Sequence, residues 1–418
     1  MIHLTGRHGE GIIYNAEVDA GAVEQVQQLL DTPLAEGANL RVMPDVHAGA
    51  GSVIGTTMHI TDKVCPNLVG VDIGCGVMAV PLGKEDINLV ELDRFIRKKI
   101  PSGFAKRTPQ KISPLAEQTG LDSLRWNAPK KYRKDDAIQS VGTLGGGNHF
   151  IEIGVDSEGE KWMTIHSGSR NVGLLLATHY QWLAEQTCTA DVPHALKFLT
   201  GDLLEDYLHD MHIMQQYASL NRIAMFADIL DFLGHDLDDD DIASRSVITV
   251  HNYVDGLNEQ DTSRQDISEQ DADKQDTNKQ DEQNKRILRK GAVRAKEDEL
   301  FLLPLNMADG LLLCRGKGNK DWNHSAPHGA GRLYSRTKAF KSLDMDEFEQ
   351  RMKGIYTTSV HDGTLDESPM AYKDGSAIEK LMTPTADTLD RWRPIYSFKA
   401  RGKSRSKGGR RSGRRSRR

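Results

Sequence analysis

One device recurs along this chain. A β-prone run meets a glycine-rich turn, and beside the turn stands a side chain able to hold a metal ion or attack phosphorus. It appears in LRVMPDVHAGAGSVIG, LVGVDIGCGVMAV, SVGTLGGGNHFIEI, MTIHSGSRNVG and SAPHGAGRLYSR, and VITVHNYV is a β-prone run with His251 near its end but no glycine. Glycine lets the backbone turn sharply or be approached closely. Building one site from several strand ends requires this repetition, although repetition by itself does not prove that the ends converge. Helical stretches lie between the runs without an alternating strand–helix–strand series, which points to mixed strands and helices rather than a parallel doubly wound sheet.

Taken in order, residues 11–30 read as a strand and then an amphipathic helix through AGAVEQVQQLL. Residues 40–60 read as strand, glycine loop, strand, with Asp45 and His47 in ordinary turn roles. Residues 68–80 read as two β-prone runs flanking Asp72 and Cys75, and 84–135 as charged, helical and looped. A glycine loop at 140–149 could bring backbone N–H groups to phosphates, although it lacks the ending of a Walker A loop. Residues 174–234 read as helical, and their His179, His194, His209 and His212 as surface or packing residues. A Gln-Asp pair recurs every five residues from Gln260 to Asp281, a low-complexity insertion set at 256–284 and expected to be disordered. A charged helix is expected near 337–354.

Four imidazoles (His149, His166, His251, His328), one carboxylate (Asp72) and one thiol (Cys75) thus stand at strand ends or glycine loops. A carboxylate and a thiolate brought together in an apolar sheet are costly unless a cation joins them. Six such groups exceed one tetrahedral site, and two ions sharing a thiolate would use them, leaving one imidazole for covalent work. His328 precedes a Gly-Ala-Gly turn with Arg332 and Arg336 behind it, a pattern suited to phosphate chemistry because guanidinium forks match phosphate oxygens. A neutral imidazole beside a bound phosphate can attack phosphorus and carry the group.

Size and charge bound the function. The 418 residues, 38% hydrophobic, suffice for one large domain or two ordinary ones. No apolar run reaches about 18 residues, so no membrane-spanning segment is expected. The first 25 residues lack the basic start and apolar block of a secretory signal. The four cysteines (Cys65, Cys75, Cys188, Cys314) are scattered without a CxxC pair, which argues against a disulfide framework and for a reducing cytoplasm. Ten of the 54 Lys and Arg lie in 401–418, leaving 44 against 60 acids in the rest. Such a basic Gly/Ser/Arg tail is expected to stay disordered and to grip a polyanion through phosphate contacts.

The motifs VMPDVHAGAGSVIG, GVDIGCG, TLGGGNHFIEI, HSGSR, HNYV, RKGAV, HGAGRLYSRTKA and PMAYKD, in that order, closely resemble the RtcB family of RNA-splicing ligases. The resemblance runs from about 40 to 399 outside the Gln-Asp insertion. It implies an α+β fold, a single catalytic domain over 1–400 with mixed and antiparallel sheets surrounded by helices, followed by the basic tail at 401–418. It implies a GTP- and manganese-dependent ligase, using two Mn2+ ions. The enzyme would join RNA 3′-phosphate or 2′,3′-cyclic phosphate ends to 5′-hydroxyl ends in tRNA splicing or RNA repair. His328 would attack the α-phosphate of GTP, with Asp45 orienting its ring. Asp72, Cys75, His149, His166 and His251 would hold the metals, Cys75 bridging. Asn148, Glu152, His328, Gly329, Arg332, Tyr372 and Lys399 would contact the guanylate, with Glu152 favouring guanine, and Arg170, Arg332 and Arg336 would hold RNA. An archease-like activator is a further expected partner. Neutral imidazole is the nucleophile, so guanylylation should fail at low pH.

Departures from the family pattern bear on these expectations. The family's serine-containing PGSMG loop reads Pro304-Leu305-Asn306-Met307-Ala308-Asp309-Gly310, and an added carboxylate near a triphosphate is unfavourable. The lysine of the first glycine loop is absent, since 48–51 read AGAG. Two other readings keep the same residues. A metal-dependent RNA end-processing phosphodiesterase predicts opening of cyclic phosphates without GTP. A non-catalytic RNA-binding protein predicts salt-sensitive binding that survives metal removal and weakens without the tail.

Overall fold

The structure, a computed structural model, describes residues 1–256 and 286–400. The expected Gln-Asp insertion beyond Gly256 and the expected basic tail at 401–418 lie outside the described residues.

Two sheets carry the chain. The first orders its strands Ile2–Thr5, Glu10–Ile13, Leu40–His47, Ile54–Ile60, Arg286–Lys290 and Asn252–Asp255. Its one parallel pair, Glu10–Ile13 with Leu40–His47, is joined through the helix Ala20–Leu30. Asp19 caps that helix by accepting from the Gly21 amide, and Ala22, Val26, Leu29 and Leu30 form its buried stripe at helical spacing. The second sheet is antiparallel throughout: Leu300–Asn306, Gly310–Gly316, Ala386–Lys399, Phe150–Val155, Lys161–Ser167, Gly76–Gly83 and Val247–Val250. A short ribbon pairs Ala292–Arg294 with Ser325–Pro327. With helices packed around them, the sheets give the expected α+β class.

The chain passes from the second sheet to the first at a single residue. Val247–Val250 ends the second sheet, Asn252–Asp255 edges the first, and His251 lies between them. The sequence reading had one strand there. The break ties the seam together: the His251 amide donates to the Cys75 carbonyl, and the His251 carbonyl accepts from Gly291.

The helix Gly201–Leu233 joins two apolar cores. Leu204, Tyr207, Leu208, Met211 and Met214 pack into the core shared with Ala20–Leu30, whereas Met225, Phe226, Ile229 and Leu230 pack under the second sheet. Because its halves bury different faces, no single apolar stripe runs its length. Midway, Asn221 and Arg222 are fully buried and hold three separate loops. The Asn221 side-chain oxygen accepts from the Gly142 and Thr143 amides, and its NH2 donates to Ser167 Oγ and the Gly168 carbonyl. Arg222 donates to the carbonyls of Gly74 and Ser167.

Three sequence expectations change. The apolar residues 68 and 69 belong to a one-turn helix, Pro66–Val69, because Pro66 with its fixed φ starts a turn. Residues 84–133 hold one α-helix, Leu89–Lys99, followed by loops and 3-10 turns, two of which begin at prolines 109 and 114, before a second helix, Lys134–Ser140. The helix expected near 337–354 is two, Arg336–Ser342 and Met345–Arg351, since Asp344 caps the second by accepting from the Asp346 and Glu347 amides. No helix among the described residues is long and apolar enough to cross a membrane.

Asn221→Ala strands two buried amides and two acceptors. We expect it to destabilise the chain by about 2 kcal/mol or more in urea unfolding, against about 0.5 or less for the exposed Glu349→Ala.

Candidate active site

His328 follows the ribbon strand Ser325–Pro327. Arg289, fully buried, fixes that strand by donating to Ser325 Oγ at 2.9 Å while its other nitrogens reach Asp255 and the carbonyls of Asn323 and His324. His328 Nδ1 lies 2.6 Å from Asp45 Oδ2, and the His328 amide donates to the same oxygen at 3.3 Å. Asp45 is wholly buried at the bulged end of Leu40–His47. Gly331 has φ +75°, and a Cβ there would strike the Asp45 backbone, so this turn admits only glycine. With Nδ1 engaged, Nε2 is the ring nitrogen left for chemistry.

Beside it lies a chain of ligand atoms. Asp72 Oδ2 is 3.0 Å from His149 Nε2, which is 3.4 Å from Cys75 Sγ; Cys75 Sγ is 3.2 Å from His166 Nε2, which is 3.4 Å from His251 Nε2. The rings of His251 and His328 are 5.0 Å apart. Cys75, His149, His166 and His251 are each 3% exposed. The ligand atoms of Cys75, His149 and His166 all lie within 4.8 Å of one another. One nitrogen has at most one proton, so His166 Nε2 cannot donate to both Cys75 and His251. Such spacing is what ligands at roughly 2.0–2.3 Å from a shared cation produce. Burial, then the Asp72 charge, pushes the Cys75 thiol well above its ordinary value, while burial, then neighbouring cationic groups, pushes His166 and His251 well below theirs. Burial opposes ionisation of Asp72, yet the hydrogen bond and charge of His149, with Arg170, hold it down to about 2. A divalent ion fits this donor set, since it would discharge the thiolate and occupy the imidazole lone pairs.

The glycine loop at 142–147 does something other than expected. The amides of Gly142 and Thr143 go to Asn221, and that of Leu144 to the Pro101 carbonyl, so these three are not free for phosphates. Instead the loop seats arginines. Gly142, Gly145 and Gly147 all have positive φ, and a Cβ on each would run into Arg107, Arg170 and Arg336 respectively. Arg170 itself has φ +57°, an uncommon strained conformation at the first turn of Arg170–Thr187. Arg107, which sequence reasoning missed, is paired with Asp228 and the Gly142 carbonyl.

One cavity gathers the residues expected to contact the guanylate, together with Arg336, which is expected to hold RNA. Asn148, Glu152, Gly329, Arg332, Arg336, Tyr372 and Lys399 all line the cavity that contains His328, Asp72, Cys75, His166 and His251. Glu152 is 3% exposed, its Oε1 has no hydrogen-bond partner among the described residues, and burial pushes its carboxyl up to about 8 against the pull of Lys399. Lys399 Nζ donates to the Asn148 carbonyl at 3.3 Å. His47, read as a turn residue, also lines the cavity, and burial pushes it down to about 4. Glu367, unremarked in the sequence, is the buried carboxylate on which Arg332, Arg336, Tyr372 and Lys399 meet. His179, His194, His209 and His212 stay outside the cavity, as expected.

The altered loop is less disruptive than its sequence implies. Asn306 Oδ1 accepts from the amides of Ala308 and Asp309, and its NH2 donates to Asp309 Oδ2 at 2.7 Å. This turn holds the Asp309 carboxylate on the exposed side, and it does not line the cavity. Asn306 and Met307 do line it. In the first glycine loop, Lys290 donates to the carbonyls of Ala50, Ser52 and Asn67, bracing the turn that lacks a lysine of its own.

Glu152 gives a pH-dependent test. Its folded value is raised above the unfolded one, so its contribution to stability is full below about 4.5 and is lost as pH rises toward about 8. Glu152→Gln removes that dependence. We expect the variant to melt higher than the parent, with the gap widening from pH 5 to pH 8 in thermal unfolding.

The comparisons with known proteins agree with this geometry. The family described as tRNA-splicing ligase RtcB matches residues 25–400. The RNA-splicing ligase RtcB of Escherichia coli K12 is 30% identical over 409 residues, covering 91% of this chain and 95% of that protein. The RNA-splicing ligase RtcB2 of another Escherichia coli strain is 24% identical (92% and 93% covered), and the tRNA-splicing ligase RtcB of Aeropyrum pernix 25% identical (86% and 89%). Matched over nearly its whole described length, the chain belongs to the RtcB family.

Proposed function

We propose that this protein is an RNA ligase that joins a 3′-phosphate or 2′,3′-cyclic phosphate end to a 5′-hydroxyl end through a GMP carried on His328, using GTP and two manganese ions, in tRNA splicing or RNA repair in the cytoplasm. The observation that carries the reading is the pair of buried Asp45 and partly exposed His328 at 2.6 Å, set 5.0 Å ring to ring from His251, one of five further ligand-type side chains. Asp45 fixes the ring and offsets the positive charge that appears on it during attack, while Nε2 remains the nucleophile.

In this reading Nε2 attacks the α-phosphorus of GTP, the bond to the bridging oxygen breaks, and pyrophosphate leaves. The RNA 3′-phosphate then takes the GMP from His328, restoring the imidazole. The 5′-hydroxyl attacks that activated phosphate and GMP departs; a cyclic phosphate is first opened by water. Asp72, Cys75, His149, His166 and His251 would hold the metals, with Cys75 between the two nitrogen groups. When bound, the ions would supply charge to offset the reacting phosphates. The unpartnered Glu152 Oε1 faces a guanine edge in this scheme, and ionisation of Glu152 would match the two donors N1–H and N2–H. Arg170, Arg332 and Arg336 would hold RNA phosphates. The Cys/His donor set suits zinc or cobalt better than manganese, so zinc should compete.

The test is covalent labelling by α-labelled GTP with manganese. We expect label on the parent, none on His328→Ala, and a rate lower by roughly 100-fold or more on Asp45→Asn. Label on His328→Ala equal to the parent overturns the assignment. Separately, cobalt titration should raise a thiolate absorption band that is absent in Cys75→Ala; a band of equal strength in that variant would remove Cys75 from the metal site.

A further inference from the structure

We propose that Glu367 is a positioning residue that joins the nucleotide side of the site to its RNA side. The proposal rests on the ligase reading for the identity of the two ligands, and on geometry alone for the link between the two sides.

The two oxygens of Glu367 divide the wall. Oε2 accepts from Tyr372 OH at 2.6 Å and Lys399 Nζ at 2.9 Å, the residues assigned to the guanylate. Oε1 accepts from Arg332 Nη1 at 3.0 Å and faces Arg336 Nη1 at 3.0 Å; Arg336 is assigned to RNA, and Arg332 to both RNA and the guanylate. Its neighbour Asp366 backs the arginine side, its carbonyl accepting from Arg332 Nη2 at 2.6 Å and its carboxylate from Arg336 Nη1 at 2.9 Å. Glu367 is 3% exposed and stands at the end of the short 3-10 stretch Asp362–Glu367, so it is held from behind rather than reaching in from solvent.

The charges explain why this carboxylate positions the wall without cancelling it. Three cations, Arg332, Arg336 and Lys399, meet two anions, Asp366 and Glu367. One positive charge remains for an incoming phosphate. Burial opposes ionisation of Glu367, but Lys399, Arg336 and Arg332 outweigh it and hold the group down to about 2. Charge-assisted bonds of this kind fix long, flexible side chains that otherwise lose rotamer entropy on binding a ligand. Since both sides lean on one group, loosening it releases both.

The experiment compares Glu367→Gln and Glu367→Asp with the parent as full chains. It measures the KM for GTP in labelling, the KM for 3′-phosphate RNA in joining, and melting temperature. Mass spectrometry also follows phenylglyoxal modification of Arg332 and Arg336 and acylation of Lys399. We expect Glu367→Gln to raise both KM values by about tenfold or more, with saturated rates within about threefold and faster modification of all three cations. Glu367→Asp, one methylene too short to span both sides, should move the same quantities by a smaller factor, and it decides the matter if the Gln variant does not fold. A lower melting temperature with unchanged KM values and reactivities would make Glu367 a buried strut only. A rise in one KM alone would overturn the link between the sides. If the parent takes no label and joins no RNA, the ligase reading fails, while the reactivities of the three cations still decide whether Glu367 holds them.

Discussion

The structure depends on keeping one thiol and three imidazole nitrogens in a row, each 3.2–3.4 Å from the next, inside an apolar seam. Those atoms attract each other only when a cation sits among them; otherwise each buried lone pair has lost water and gained a poor partner. Much of the surrounding architecture is understandable as resistance to that cost. Asp72 and Cys75 share one loop, His149, His166 and His251 come from three other strand ends or loops, and the two sheets meet at His251, so no single segment can relax without pulling on the others.

Holding such a seam takes groups that are not ligands. Asn221 and Arg222, adjacent in the middle of a 33-residue helix, pin the loops of residues 74, 142–143 and 167–168 through backbone atoms. Arg222 is buried without a carboxylate partner in hydrogen-bond reach among the described residues, which costs stability unless the nearby Asp72 and a cysteine thiolate supply the opposing charge. Glycines serve the same end from the other side, since three of them in one loop leave the space that arginine side chains occupy.

What was legible in the sequence was the local pattern. A β-prone run, a glycine and a histidine adjacent in the chain are also adjacent in space, and so His149, His166, His251 and His328 could be picked out with Asp72 and Cys75. Asn221, Arg222, Arg107 and Glu367 were not legible, because their partners, apart from Tyr372 beside Glu367, lie about 30 to more than 140 residues away and their own surroundings read as ordinary helix or loop. The same limit explains Asp309. Its charge was visible; the turn in which Asn306 holds it outward was not. The strand expected at 68–69 failed for a local reason, since apolar residues after proline fit a helical turn as well as a strand.

Glu152 and Glu367 set the electrostatic character of the cavity wall around Lys399 between them. Both are buried carboxyls, and both feel Lys399, yet they are driven in opposite directions. Lys399 donates to Glu367 at 2.9 Å, and with three cations around it Glu367 stays ionised; Glu152, with Lys399 as its one opposing cation and no hydrogen bond to Oε1, is pushed up to about 8. A lysine shared this way leaves one carboxyl satisfied and the other in want of donors. That asymmetry is what a site would need to keep its phosphate-holding side chains rigid before a ligand arrives while leaving one buried acceptor for a base edge to complete. The cost of ionising Glu152 in this buried place is relieved by protonation, and it would equally be relieved by donors reaching Oε1.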